Sequence, residues 1–215
     1  MPARLLLVLA VDLDSGLPRL LDLGAIARDR NAPDRIGRYV DALMASSAIP
    51  VAFPPVFIDG AMHVDGGARM ALFFNRLLQE ERAAIDGITI PAPKLDIIVN
   101  AEATVAPMCT QNTLIGIGRR SLEVVLNQLT LDGLYRTVSE AERDGFDVRH
   151  VTAAGSGCAR ARDSADPFAP VFLRCLFAFG KEVGSSAAPF RTGLDGFPDL
   201  ALSPLDGSAA RCAHG

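Results

Sequence analysis

What this sequence has little of excludes several kinds of protein. Its 21 Lys and Arg stand against 25 Asp and Glu, a net charge of −4. That balance offers no basic footprint for a nucleic-acid backbone and no polybasic patch for an anionic membrane. Long apolar runs are also missing. The longest, Leu5 to Val11, falls far short of the roughly 20 residues a spanning helix needs. It follows Arg4, but Asp12 and Asp14 come directly after it with no small-residue cleavage site, so it reads as a buried strand and not as a signal peptide. The four cysteines, Cys109, Cys158, Cys175 and Cys212, are scattered, with no metal-ligand or redox-motif spacing. A chain of this size needs no bridges: Cys175 reads as a small core residue, and a reducing compartment, with the cytoplasm as default, is the expectation.

What is present is the make-up of a folded α/β chain. A 49% apolar and 21% charged composition over 215 residues supports a buried core. Residues 4–13 read as a strand, Asp14-Ser15-Gly16 as a turn, and 18–22 as a second strand. Asp34 is a candidate N-cap for a helix over 35–46, where Ile36, Val40, Leu43 and Met44 recur at helical spacing. Pro50, Pro54 and Pro55 then force extended backbone. Asp59-Gly60, flanked by Val56-Phe57-Ile58 and Met62-His63-Val64, is a hairpin signal, and Asp65-Gly66-Gly67 makes a tight turn directly after it.

Further on, 72–84 reads as a helix and 95–99 as a strand buried on both faces. A long helix with a further helical stretch runs to Glu142, where Asp144-Gly145 ends it. Residues 146–151 form a strand pattern and 168–183 another helix, with Val171, Phe172, Cys175, Leu176 and Phe179 on one face. Gly, Ser, Ala and Pro without periodicity dominate 185–215, which reads as a loosely ordered tail. Strands alternating with helices predict a layered α/β domain over 1–184.

The stretch Ala42 to Leu72, ALMASSAIPVAFPPVFIDGAMHVDGGARMAL, resembles the second catalytic block of the patatin-like phospholipases. In that family a helix ending in ASSAIP leads through a proline-rich passage and a short hairpin into an Asp-Gly-Gly or Asp-Gly-Ala turn. Each piece stands here in order: Ala45–Pro50, Phe53–Pro55, Ile58–Gly60 and Asp65–Gly67. Residues 4–16, 22–27, 119–123 and 168–184 are similar to further segments of the family, so the likeness covers roughly 4–184. It implies a three-layer α/β hydrolase fold and hydrolysis of lipid acyl esters by a serine–aspartate dyad, with neither metal nor organic cofactor. Asp65 corresponds to the dyad aspartate, with Gly66 and Gly67 shaping its turn. Phe53 and Phe57, beside the proline passage, are candidates to line an acyl pocket.

The chain departs from the family where the nucleophile is expected. No G-x-S-x-G elbow occurs in it, and no Gly-rich oxyanion turn precedes Asp65. In the family those parts lie upstream, so the chain reads as the C-terminal part of such a domain, truncated at its N-terminal side. Ser156, in Gly155-Ser156-Gly157, lacks the elbow spacing and follows the aspartate; it reads as a polar loop residue. Ser46 and Ser47 read as helix-end residues. His63 stands two residues before Asp65 and reads as a packing substitute for an aromatic; His150 and His214 have no partners at metal-ligand spacing. Two outcomes follow. The resemblance implies a lipid acyl hydrolase; the alternative is an inactive fragment, an acyl-chain-binding pseudoenzyme, or one half of a two-chain enzyme that meets a separate N-terminal half.

Overall fold

The computed structural model describes residues 5–72, 93–100, 105, 108–153, 156–161, 166 and 168–194. The architecture is mixed α/β, and its contacts divide the chain into two compact units. The first comprises residues 1–77 and 114–134, the second 78–113 and 135–215. The expected helix over 72–84 lies, apart from Leu72, outside them.

In the first unit, β1 (Leu7–Asp12) and β2 (Leu17–Asp22) form an antiparallel hairpin. The Asp12 carboxylate builds the turn between them, accepting bonds from the Asp14 and Ser15 amides and the Ser15 hydroxyl. Helix α1 (Leu23–Arg28) follows at once, its N-terminal amide at Ala25 capped by Asp22. Helix α2 (Arg35–Ser47) begins at Asp34, which accepts the Gly37 N–H as expected of an N-cap. Strands β3 (Val56–Ile58) and β4 (Ala61–Asp65) form the second hairpin. Asp59 and Gly60 both have positive φ, 53° and 83°, the geometry that suits a two-residue hairpin to strand twist. The four strands make an antiparallel sheet in the order β2-β1-β4-β3.

Helix α2 corrects the sequence reading. Its spacing marked Ile36, Val40, Leu43 and Met44 as the apolar face, yet these side chains are exposed, Ile36 by 73%. Ala42 and Ala45 are the buried residues, packed with Ala10, Leu21 and Leu23. The reason is steric: alanines allow the helix backbone to approach the sheet closely, whereas the long side chains would hold it off. Burial here follows the close-packed small face and not the greater hydrophobicity.

The second unit holds β5 (Lys94–Val99), β6 (Asp147–Thr152) and β7 (Arg191–Thr192), with β5 and β6 parallel and β7 antiparallel to β6. Strand β5 is not buried on both faces: Ile97 and Val99 are buried, but Ile98 is 74% exposed. On the exposed side Arg149 grips Asp96 through two 2.8 Å bonds and lies 5.2 Å from the centre of the Phe190 ring. Strand β7 falls within the stretch read as a loose tail; the Gly193 carbonyl beside it accepts a 2.6 Å bond from Nδ1–H of the buried His150.

Helix α3 (Leu114–Arg143) is one continuous element contributing residues to both units. It ends at Gly145 (φ 82°), where the Phe146 amide bonds back to the Ala141 carbonyl. Helix α4 (Pro170–Gly184) follows the short 3-10 turn Cys158–Ala161. Cys175, expected as a core thiol, is instead bonded to Cys158, and Cys109 is disulfide-bonded too. Linear spacing hid the pair because 17 residues separate them in sequence while their Cα atoms lie 5.7 Å apart.

Candidate functional site

Asp65 is the last residue of β4, a strand with neighbours on both sides. Its register partner is Ala10 on β1, so sheet pairing fixes its backbone up to the turn. The Asp65 amide donates to the Ala48 carbonyl at 2.9 Å. That bond ties the Asp-Gly-Gly turn to the residue capping the C-terminus of α2. Two segments that sequence could only place in order are thereby locked side by side.

The glycines have separate jobs. A Cβ on Gly66 would lie 2.6 Å from the Leu9 carbonyl oxygen and 2.7 Å from the Leu9 Cβ. Only a residue without a side chain lets the turn pack this tightly on β1. Gly67 donates its N–H to Asp65 Oδ1 at 2.7 Å. The Gly66 carbonyl accepts from the Arg69 and Met70 amides, and Arg69 reaches across to the Gly16 carbonyl at the β1–β2 turn.

The Asp65 carboxylate therefore has Oδ1 engaged, and Oδ2 makes no hydrogen bond among the described residues. Partial burial pushes its pKa above the ordinary 3.8, against the opposing pull of the Gly67 N–H. Two other carboxylates of this unit go the other way. Asp12 is held low by the Ser15 hydroxyl, and Asp59 by the Arg19 guanidinium 2.7 Å away. Of the three, Asp65 alone gains proton affinity.

His63 shares the Asp65 face of β4 but serves other partners. It is fully buried. Nδ1 lies 2.9 Å from the Ala61 carbonyl, which can only accept, so Nδ1 carries the proton there and Nε2 turns its lone pair towards Arg19 Nη1 at 3.5 Å. Arg19, His63 and Asp59 form a cluster that fastens β2 to the second hairpin; the sequence offered no sign that these distant residues meet.

Phe53 and Phe57 are 41% and 59% exposed. Phe57 pairs with Met62 and Val56 with His63. Side chains alternate along a strand, so Phe57 stands on the sheet face opposite Asp65. Phe53 lies in the loop after α2, its amide bonded to the Ile49 carbonyl at 3.0 Å. Ser47 caps back onto the Leu43 carbonyl, and the Ser156 hydroxyl accepts the Cys158 amide at the start of a 3-10 turn in the other unit. Among the described residues no three His, Cys, Asp or Glu side chains come together to hold a metal ion. Nor is any helix of these residues long and apolar enough to cross a membrane.

A mixed α/β arrangement with an acid turn at a strand end is consistent with a patatin-like α/β hydrolase fold. The model of the patatin-like phospholipase family matches residues 17–78, from the first residue of β2 to beyond the Asp-Gly-Gly turn. Over that stretch the chain is similar to a family of lipid acyl hydrolases. No curated protein matches the chain.

Proposed function

We propose that this chain is the base-bearing part of a lipid acyl hydrolase, with Asp65 accepting the proton of a serine hydroxyl supplied from outside these 215 residues. The serine oxygen attacks the acyl carbonyl while its proton passes to Asp65 Oδ2. The expelled alcohol takes that proton, and water then releases the acyl group from the serine. The observation carrying this reading is the state of the carboxylate: Oδ1 is fixed by the Gly67 N–H, while Oδ2 is left without a partner among the described residues. Burial raises its basicity above that of an ordinary aspartate, which suits a general base. Of the two phenylalanines, Phe57 stands on the sheet face opposite Asp65, and Phe53 is the one proposed to meet an acyl chain.

The chain alone is expected neither to react with a fluorophosphonate probe nor to hydrolyse a p-nitrophenyl ester. Turnover should appear on adding a separately expressed polypeptide that carries a Gly-rich turn and a G-x-S-x-G elbow. Asp65→Asn should then lower the rate by about 100- to 10,000-fold. A reconstituted enzyme indifferent to Asp65→Asn would overturn the assignment. The missing elbow serine favours a second reading, an acyl-binding protein without turnover. Fatty-acid binding with no hydrolysis after reconstitution would identify it. The Cys158–Cys175 bond fits an oxidising compartment better than the cytoplasm.

A further inference from the structure

Ala10 on β1 has Arg19 of β2 opposite it on one side and Asp65 of β4 opposite it on the other. Residues paired directly across a ladder share a sheet face, and so do residues two apart along a strand. Arg19, Ala10, Asp65 and His63 therefore stand on one face, the face on which α2 packs through Ala42 and Ala45. In the row from Arg19 to Asp65 only the methyl group of Ala10 intervenes. The guanidinium leaves that row and crosses β1 obliquely. Nη1 stands 3.5 Å from His63 Nε2, and Nη2 donates to Asp59 in the β3–β4 turn at 2.7 Å.

His63 is the point of β4 where such a tie has most effect. It pairs with Asp12 of β1 on one side and with Val56, the first residue of β3, on the other. Past it, Asp65 keeps β1 on one side, while its amide finds the Ala48 carbonyl in place of a strand. The β1–β4 ladder holds three residue pairs, Ala10 with Asp65 to Asp12 with His63. Few pairs guard its register, and a slip of one residue would turn Asp65 to the opposite face. A diagonal link from β2 to β4 and its turn resists that slip, because it joins strands on either side of β1. An aromatic ring would fill the same volume as His63 but would not make the link. The histidine is fully buried, with Nδ1–H on the Ala61 carbonyl and the Nε2 lone pair facing Arg19.

We propose that Arg19 and His63 are positioning residues for Asp65, a brace across β1 that keeps its carboxylate in place for proton transfer. The proposal rests on the acyl-hydrolase reading for what the carboxylate does there. The brace itself needs no turnover to be observed.

The test is a carbon-13 NMR titration of the Asp65 carboxyl in the full chain, its signal identified by Asp65→Asn. His63→Phe keeps the ring and removes both polar contacts. It should bring the Asp65 midpoint down towards the ordinary 3.8, because a turn free to shift admits water to the carboxylate. His63→Gln, which keeps an acceptor for Arg19, should restore most of the difference. Asp59→Asn should move the midpoint in the same direction as His63→Phe, by less. It serves if His63→Phe fails to fold, since asparagine tolerates the φ of 53° at this turn. In an enzyme reconstituted with the serine-bearing polypeptide, His63→Phe should lower kcat about tenfold with little change in KM. An Asp65 midpoint that is the same in the unaltered chain, His63→Phe and Asp59→Asn overturns the proposal and leaves His63 as packing alone. Turnover indifferent to Asp65→Asn would remove the base assignment while the titration still decides the brace. An unchanged midpoint beside turnover that Asp65→Asn abolishes would remove the brace and keep the base.

Discussion

At the scale of single residues, Asp65 combines two demands that oppose each other. Its carboxylate accepts the Gly67 N–H and is yet partly withdrawn from water, and that withdrawal works against the folded state whenever the group is charged. Its pKa is raised on folding, so the folded state holds the proton more tightly than the unfolded state. Stability therefore falls as pH rises from the unfolded value of 3.8 through the folded one, and the penalty is fully present above both. Asp65→Asn, which can still accept the Gly67 N–H, should raise the melting temperature at pH 7 because the desolvated charge is gone. Melts of both proteins at successively lower pH should show the gap closing in acid; a gap independent of pH would rule out desolvation as the cause. The turn that this residue heads was legible from its motif. The basicity of Asp65 was not, because burial depends on what surrounds β4. The Arg19–His63–Asp59 cluster was equally hidden, since 40 residues separate Arg19 from Asp59.

Elements meet at the Asp-Gly-Gly turn, where β4, β1 and the end of α2 converge on a few atoms. Gly66 sits where β4's turn lies against β1, and a methyl group there would stand 2.6 Å from a backbone oxygen. That neighbour cannot swing away as a flexible side chain would. Gly66→Ala should cost about 2–3 kcal/mol, measured by chemical denaturation, whereas an unchanged midpoint would mean that the turn is free to shift. The same variant should depress any activity, since the carboxylate moves with the turn. Local chemistry made most elements readable: Asp34 as a cap, Asp59-Gly60 as a hairpin turn, Gly145 as a helix stop. Helix α2 was located correctly but oriented wrongly. Periodicity reports which side chains share a face, while the choice of face depends on how closely two backbones can approach.

Considered as a whole, the molecule is two units with different means of stabilisation. The first relies on an antiparallel sheet and alanine-lined helix packing. The second holds a short mixed sheet and a helix, α4, with no fully buried residue, which the Cys158–Cys175 bond fastens to its neighbouring 3-10 turn. Removing a bridge that closes a loop of this length costs about 3 kcal/mol on the chain-entropy account. Cys175→Ser should therefore speed amide exchange in β6, β7 and α4 while leaving β1 to β4 protected. Uniform loss of protection, or none, would contradict that division.

Written in the residues themselves are the elements, their turns and the Asp-Gly-Gly block, because capping, hairpin chemistry and motif order act over a few neighbouring positions. Left to packing are the face α2 buries, the cysteine pairing, the proton affinity of Asp65 and the hydrogen bond from its amide to Ala48. Each of these depends on groups distant in the chain being brought to within a few ångströms, and no short window of sequence contains both partners.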